Sequence, residues 1–382
     1  MKSFNYKLGL VSGTTYMTSG LSLLIVIVLA NKLEYQTFGR FILITTAVLL
    51  LSDLCDFGTG SDYLLHFQKS SSRNSELTER DFLQKRIGTA IILFPIILFL
   101  SSIAFGYQLA TIFSLLIVTT FLRNSVAVIF RTNENYEHFL VLLVGEKVLF
   151  LAFIFFSHSS LHILLLESLI SIALPIFLTY PSILRTRPNA SLLKILRQYT
   201  HARLVGLSSF ITNVALIFPL IIQLFAGSVL FSSYILVVKV FSPIPALGAA
   251  IALVNVSSKQ VLSWKPKSVP MVFVTSLVCL ISVAFFAAPL IERFTSGKFA
   301  YSKLNIITVS IIAVLYFFLN IMVSLKLKKV QLGLIIKGYF LFILTFSILI
   351  AATRPLLNLE IILLCELAAI SITMLYFSRK RG

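Results

Sequence analysis

Apolar stretches long enough to cross a lipid bilayer follow one another along almost the whole chain. A membrane-spanning helix needs about 20 consecutive, mostly apolar residues. Such runs lie at 8–30, 38–58, 87–106, 109–130, 139–157, 161–183, 204–225, 232–254, 270–292, 304–325, 331–353 and 359–377. Charged residues make up only 12% of the 382 residues, whereas soluble domains carry about 25%. The sequence therefore predicts an all-α, polytopic membrane protein with about twelve transmembrane helices.

Polar interruptions of these runs give three further expectations. Only Gly106-Tyr107-Gln108 divides the stretch 87–130, which is too long for one span, so a tight turn is predicted there. The segment SPIPALG at 242–248 contains two prolines, which remove backbone donors and bend helices. It is predicted to break its span. The first run follows two lysines without a small-residue cleavage site, and we interpret it as a retained helix rather than a signal peptide.

The distribution of basic residues predicts the orientation of the chain. The formal net charge is +18, and the lysines and arginines fall mostly in alternate segments between the apolar runs. That pattern is typical of loops that face the cytoplasm and anionic lipid, not of a nucleic-acid surface. We therefore predict that both termini are cytoplasmic, that membrane lipids are partners, and that no nucleic acid is bound.

The longest polar segments predict the domain organisation. They lie at 66–86 and 184–203, and the second follows the sixth apolar run. Weak similarity between the segments that begin at Leu10 and Val205 also suggests two related halves. We predict an N-terminal six-helix bundle at 1–183, a cytoplasmic linker at 184–203, and a C-terminal six-helix bundle at 204–382.

Five basic residues lie within apolar runs or at their ends: Arg123, Arg131, Lys147, Lys239 and Lys337. Ionisable side chains in spans usually face the bundle interior or a water-filled cavity, where they mark a transport pathway. A cavity-facing role is therefore predicted for these cations. For Lys337, which lies only six residues into its run, snorkelling of the amine to the membrane interface is the alternative.

Two acidic residues lie deep within runs. Glu146 is adjacent to Lys147, so the two side chains point about 100° apart on a helix and one of them should pair with a neighbouring helix. Glu366 lies near the middle of the last run, with no basic residue close in sequence. It is either a protonatable coupling site or a packing residue kept neutral by burial.

Asp53 and Asp56 lie three residues apart at the cytoplasmic end of the second run, so they share a helix face. An acid at a helix C-terminus meets the negative end of the helix dipole and needs a cationic partner. Arg123 and Arg131 are the predicted partners. The pairing is either a brace between helices or an inner gate that opens when an anionic ligand competes for the arginines.

No catalytic or metal-binding motif is present in the sequence. Nucleophile-elbow, P-loop and H-E-x-x-H patterns are absent, and His158 and His162 alone are a weak metal signal. The chain is therefore predicted not to be an enzyme, and no cofactor or metal is expected.

Three segments carry a resemblance to a known family. The first contains Phe38-Gly39-Arg40-Phe41 and closes the second run with Asp56-Phe57-Gly58; the second is LRNSVAVIFRTNENYEHFLVLLVGEKVLFL from Leu122; the third is FTSGKFAYSK from Phe294. In order and spacing they resemble the Wzx-type O-antigen and capsule flippases of the multidrug/oligosaccharidyl-lipid/polysaccharide (MOP) exporter superfamily. The chain is shorter than is usual for that family.

The resemblance implies a MATE-like fold and a flippase of polysaccharide biosynthesis in the bacterial cytoplasmic (inner) membrane. The implied substrate is an undecaprenyl-diphosphate-linked oligosaccharide, such as an O-antigen unit of lipopolysaccharide or a capsule unit. It would move to the outer leaflet by alternating access coupled to H⁺ or Na⁺. The cations at 123, 131, 147, 239 and 337 would form a cationic lumen, and the acids at 53, 56, 146 and 366 would act in coupling or gating. Other polysaccharide-assembly membrane proteins would be partners.

Two other functions stay open at this point. A MATE-like exporter of cationic drugs would have the same fold, but its site should be lined by carboxylates rather than by lysine and arginine. A polysaccharide polymerase or ligase would have a similar number of spans, but it usually has a large outside loop. The longest predicted outside segment, 293–303, is short.

Overall fold

The computed structural model describes residues 4–60, 63, 75–133, 135–157, 159–184, 214–257, 289, 291–295, 297–299, 301–328 and 331–379. This part of the chain is nearly all helical. The helices are α1 (Phe4–Lys32), α2 (Tyr35–Asp56), α3 (Ser75–Ala104), α4 (Tyr107–Thr132), α5 (Tyr136–Ile154), α6 (Ser160–Leu184), α7 (Val214–Phe241), α8 (Pro243–Ser257), α9 (Lys303–Lys328), α10 (Leu332–Ala352) and α11 (Leu359–Arg379). A short 3₁₀ turn, Arg354–Leu356, joins α10 to α11.

Most of the described helices are long enough to cross a membrane. Eight of them are sufficiently long and apolar, and Val229–Phe241 with Pro243–Ala249 would form a ninth span bent by 58°. The chain is thus a multi-pass membrane protein. The predicted span at 270–292 and the linker at 184–203 lie almost entirely outside the described residues.

The predicted breaks fall where the sequence placed them. The stretch 87–130 is divided at Phe105 and Gly106, after which α4 begins. The proline-rich segment gives the 58° bend, because α7 ends at Phe241 and Pro243 opens α8. A further break inside α7 is at Gly227, whose φ of 78° is a backbone conformation that glycine adopts readily.

The helices form two compact units. One comprises Met1–Leu43 with Ile217–Gly382, and the other comprises Ile44–Leu216. Helix α1 packs against α8 in the first unit. The predicted bundles at 1–183 and 204–382 stay a prediction.

Helix α4 is the centre of the unit Ile44–Leu216, since α3, α5 and α6 pack against it. Its C-terminal part supplies the consecutive buried residues 126–130, and Phe82, Leu83, Phe139 and Leu142 complete this core. The lipid-facing side of the unit is also apolar, as shown by exposed Phe99 and Ile103 on α3. Helix α4 is therefore positioned to hold polar side chains inside the unit.

Helix α9 has the corresponding place in the other unit, between α8 and α11. Its approach to α8 depends on Gly248, because a Cβ atom there would lie 2.7 Å from the carbonyl oxygen of Phe317. The Asn320 amide also donates to the carbonyl oxygen of Pro245 at 3.0 Å. This bond joins α9 to the first turn of α8, just after the bend.

Two segments that carry the family resemblance meet in this unit. The Phe299 ring packs against Tyr35 and Phe38 at the start of α2, with centroid distances of 4.9 and 6.2 Å. The Lys298 ammonium donates to the carbonyl oxygens of Ala30 and Asn31 at 3.2 and 3.1 Å. A cation at this position complements the C-terminal end of α1.

Candidate functional site

A buried ion pair joins α4 and α5 within the unit Ile44–Leu216. The Arg123 guanidinium donates through Nη1 to both carboxylate oxygens of Glu146, at 2.6 and 2.9 Å. The side chains of Arg123 and Glu146 are only 12% and 2% exposed. The prediction that Glu146 or Lys147 pairs with a neighbouring helix is confirmed, and the paired residue is Glu146.

Lys147 approaches the same carboxylate from its own helix. Its ammonium nitrogen lies 3.7 Å from Oε1 of Glu146, and the side chain is 23% exposed. Asn124 accepts from Arg123 at 3.0 and 3.3 Å, and the Ser171 hydroxyl donates to Glu146 at 3.3 Å. These five residues, here called the Arg123 cluster, place two cations around one carboxylate.

Glu167 lies next to the Arg123 cluster, and it is not among the site residues predicted above. It precedes Ser171 by four residues on α6, so it shares the helix face that reaches Glu146. Its carboxyl group interacts electrostatically with Lys147, Glu146 and Arg123. Its Oε2 atom is buried and has no hydrogen-bond partner among the described residues. The spacing from Ser171 was the sequence signal.

The acidic end of α2 is braced by a different arginine from those predicted. Asp56 is bound by Nη2 of Arg86, a residue of α3 that the sequence placed in the cytoplasmic loop. The Arg86 side chain is 2% exposed, and its guanidinium lies 4.7 Å from the ring centroid of Phe82 and 4.8 Å from that of Phe121. The direct salt bridge of Asp56 is thus with Arg86, whereas the predicted partner Arg131 interacts with Asp56 electrostatically and the predicted partner Arg123 pairs with Glu146 instead.

The reason lies in where α3 begins. This helix starts at Ser75, well before the apolar run that begins at 87. Arg86 therefore lies within the helix, on the face that is turned to Asp56. Arg123 is instead held by Glu146, and the Arg131 guanidinium lies 5.8 Å from the ring centroid of Phe139. Asp53, one turn before Asp56, is half-buried.

A second buried acid lies in the other compact unit. Glu366 of α11 is 2% exposed. It accepts hydrogen bonds from the phenol of Tyr234 on α7 and from that of Tyr316 on α9, both at 3.0 Å. Neither tyrosine is among the site residues predicted above, and in the structure both hydroxyl groups bind Glu366.

Lys239 and Lys337 belong to the same unit as Glu366. Lys239 is half-buried near the end of α7, just before the bend at Ser242. Lys337 is exposed on α10, as snorkelling would place it. Their predicted contribution to a cationic lumen stays a prediction, as do the roles of the acids in coupling or gating.

The fold is that of MATE transporters. The chain matches an inward-facing multidrug resistance MATE family transporter of the MOP superfamily over 99% of its own length and 98% of that chain, with a TM-score of 0.67 and 14% identity. An outward-facing structure of such a transporter matches over 98% and 94%, with a TM-score of 0.64 and 12% identity. A MATE transporter from Vibrio cholerae matches over 99% and 97%, with a TM-score of 0.64 and 13% identity.

These similarities confirm the predicted MATE-like fold, and the neighbours are transporters rather than enzymes. At such low identity they define the fold alone. No family model and no curated protein matches the sequence. The particular substrate must therefore be argued from the charges that this chain places inside its helices.

Proposed function

We propose that the protein is a flippase that moves an undecaprenyl-diphosphate-linked oligosaccharide, an O-antigen or capsule repeat unit, to the outer leaflet of the bacterial cytoplasmic membrane. The observation that supports this proposal is the Arg123 cluster, where two cations share the single carboxylate of Glu146. Alternating access driven by an ion gradient would carry the lipid-linked sugar across.

Arg123 and Lys147 both approach Glu146, and this pair of cations favours an anionic ligand, with the carboxyl group of Glu167 close by. A diphosphate carries about two negative charges, and ionic attraction is strong where water is scarce. Arg123 presents a planar guanidinium that can bind two phosphate oxygens at once, whereas Lys147 supplies a compact charge. Because Lys147 is 23% exposed and 3.7 Å from Glu146, it is the less tightly held cation. It is the first contact that a head group would take over.

The polar neighbours of the cluster suit a head group that must be bound and released. Asn124 already accepts a hydrogen bond from Arg123, and Ser171 already donates one to Glu146. When phosphate oxygens bind Arg123, the Ser171 hydroxyl keeps one hydrogen bond to the carboxylate of Glu146. An exchange of partners costs less than leaving a charge buried without one.

The first test removes the Lys147 charge while keeping the length of its side chain. Lys147→Met should abolish display of surface polysaccharide, because the head group loses one cationic contact. The assay uses a host that lacks its own flippase and carries the glycosyltransferases for a defined lipid-linked repeat unit. Display is measured by gel ladder and antibody labelling, and protein abundance by immunoblot.

Arg354→Ala is the matched control, since Arg354 is an exposed cation in the turn between α10 and α11. It should leave display unchanged. Unchanged display in Lys147→Met at normal abundance would contradict a cationic site for the head group. Efflux of ethidium by the wild type, with no effect on display when the gene is deleted, would favour the cationic-drug exporter instead.

A further inference from the structure

Glu366 is buried in a setting unlike that of Glu146. Its carboxyl group is buried and accepts hydrogen bonds from Tyr234 and Tyr316. No lysine or arginine in the described part of the chain forms a salt bridge with it. A buried carboxylate without a cationic partner is costly, and the cost is relieved when the group takes up a cation or a proton.

The helices packed around α11 provide few other titratable groups at this point. Tyr339 of α10 interacts electrostatically with Tyr316 rather than with Glu366 directly. The lysines at 303 and 337, on α9 and α10, are exposed, and Lys239 of α7 lies five residues beyond Tyr234. Cys365, next in the chain to Glu366, lies 3.9 Å from the Thr353 hydroxyl. The surroundings are otherwise aromatic, as Phe342 is fully buried with its ring centroid 6.0 Å from that of Tyr316.

Two phenols can satisfy this carboxyl group in both of its charge states. The ionised form accepts one hydrogen bond on each oxygen, as observed. The protonated form donates through one oxygen and accepts on the other, because a tyrosine hydroxyl can be donor or acceptor. Tyr316 as a whole residue is less buried than Tyr234.

The three residues also connect three helices. Tyr234 lies between the break at Gly227 and the bend at Ser242, where α7 departs from a straight helix. Hydrogen bonds to an ionised carboxylate are stronger than those to a neutral one. A change in the charge of Glu366 therefore alters how firmly α11 is joined to α7 and α9. That is a differential interaction of the kind that shifts a conformational equilibrium.

We propose that Glu366 binds the proton that drives transport, with Tyr234 and Tyr316 as positioning residues. Glu366 takes this proton from water when its side of the unit is open and returns it to water after the conformational change. A proton needs only one carboxylate oxygen, which suits a site whose walls are aromatic rings. This inference names the coupling ion of the proposed flippase, and the role in transport rests on that proposed function.

The test follows the carboxyl group of the purified full-length protein in lipid nanodiscs by infrared difference spectroscopy. The carbonyl band of a protonated carboxylic acid should appear as the pH is lowered, and Glu366→Gln should remove it. Tyr234→Phe and Tyr316→Phe should each shift the midpoint to higher pH by about one to two units, because the anionic form loses a hydrogen bond. A residue that merely packs would not change this midpoint.

Glu360→Gln is the matched control, since Glu360 is on the same helix and is bound by Ser302 near the helix start. It should leave the band and its midpoint unchanged. A band that persists in Glu366→Gln, or a midpoint unaffected by both tyrosine variants, would overturn the proposal. Loss of the band on adding NaCl at constant pH would also overturn it, because the site would then hold Na⁺.

The spectrum is recorded without any substrate, so its outcome is independent of the transported molecule. If the band behaves as expected but Lys147→Met leaves polysaccharide display intact, the proton site stands and the flippase proposal fails. If display depends on Lys147 but the band does not depend on Glu366, the flippase proposal stands and this inference fails.

Discussion

The ion pair between Arg123 and Glu146 allows a test that separates a structural role from a binding role. Arg123→Met keeps the bulk of the side chain but leaves the Glu146 carboxylate, which is 2% exposed, without its two hydrogen bonds at 2.6 and 2.9 Å. Breaking a buried pair in this way typically costs about 3–5 kcal/mol. Since Ser171 and Lys147 stay near the carboxylate, we expect a loss of about 3 kcal/mol.

The double variant Arg123→Met/Glu146→Gln removes the stranded charge. It should recover at least half of the lost stability, because a neutral amide is far less costly to bury than an unpaired carboxylate. Surface polysaccharide display should stay absent, because the guanidinium proposed to bind the head group is still missing. Stability and display are therefore expected to diverge in this one variant.

Thermal unfolding of the purified protein can be followed with a thiol-reactive fluorophore that labels buried Cys365 as it becomes accessible. At about 2 °C per kcal/mol for a chain of this size, the single variant should lower Tm by roughly 6 °C. Restored display in the double variant would refute the reasoning, since Arg123 would then serve only to neutralise Glu146.

Three further predictions concern packing and helix ends. Gly248→Ala should lower Tm clearly, because its Cβ atom would lie 2.7 Å from a backbone oxygen of α9. Gly20→Ala should leave Tm unchanged, because no atom lies within 4 Å of the added Cβ. Equal Tm values for the two variants would contradict the close packing. Asp56→Asn should destabilise by about 1–3 kcal/mol in the same assay, because Arg86 loses its carboxylate partner in a buried position; an unchanged Tm would argue against the brace. Lys298→Met removes an exposed cation that binds the C-terminal end of α1. Tm should fall by less than about 2 °C, and polysaccharide display should stay normal. Loss of display would show a functional role instead.

The spans were predictable because lipid imposes a length and an internal hydrogen-bonding requirement that leave few alternatives. The turn at Gly106 and the bend at Ser242 followed from the same constraint, combined with local glycine and proline chemistry. The partner of Asp56 was not predictable in this way. It depends on how far α3 continues below the apolar run and on which face it turns to α2. The first part of α3 is polar, so a prediction based only on the length of apolar runs assigns it to a loop.

Glu146 and Glu366 look alike in sequence and in exposure, since each is an acid within an apolar run and each is 2% exposed. Their partners differ in charge: Glu146 is surrounded by Arg123 and Lys147, whereas Glu366 is bound by two phenols that cannot neutralise it. A carboxylate held by cations gives up part of that stabilisation when it is neutralised, and a carboxylate held by phenols gives up far less. Only the second environment permits a change of charge without stranding a buried ion. The proposed division of labour between anion binding and proton binding therefore rests on the partners that the helices bring to each acid, not on the acids themselves.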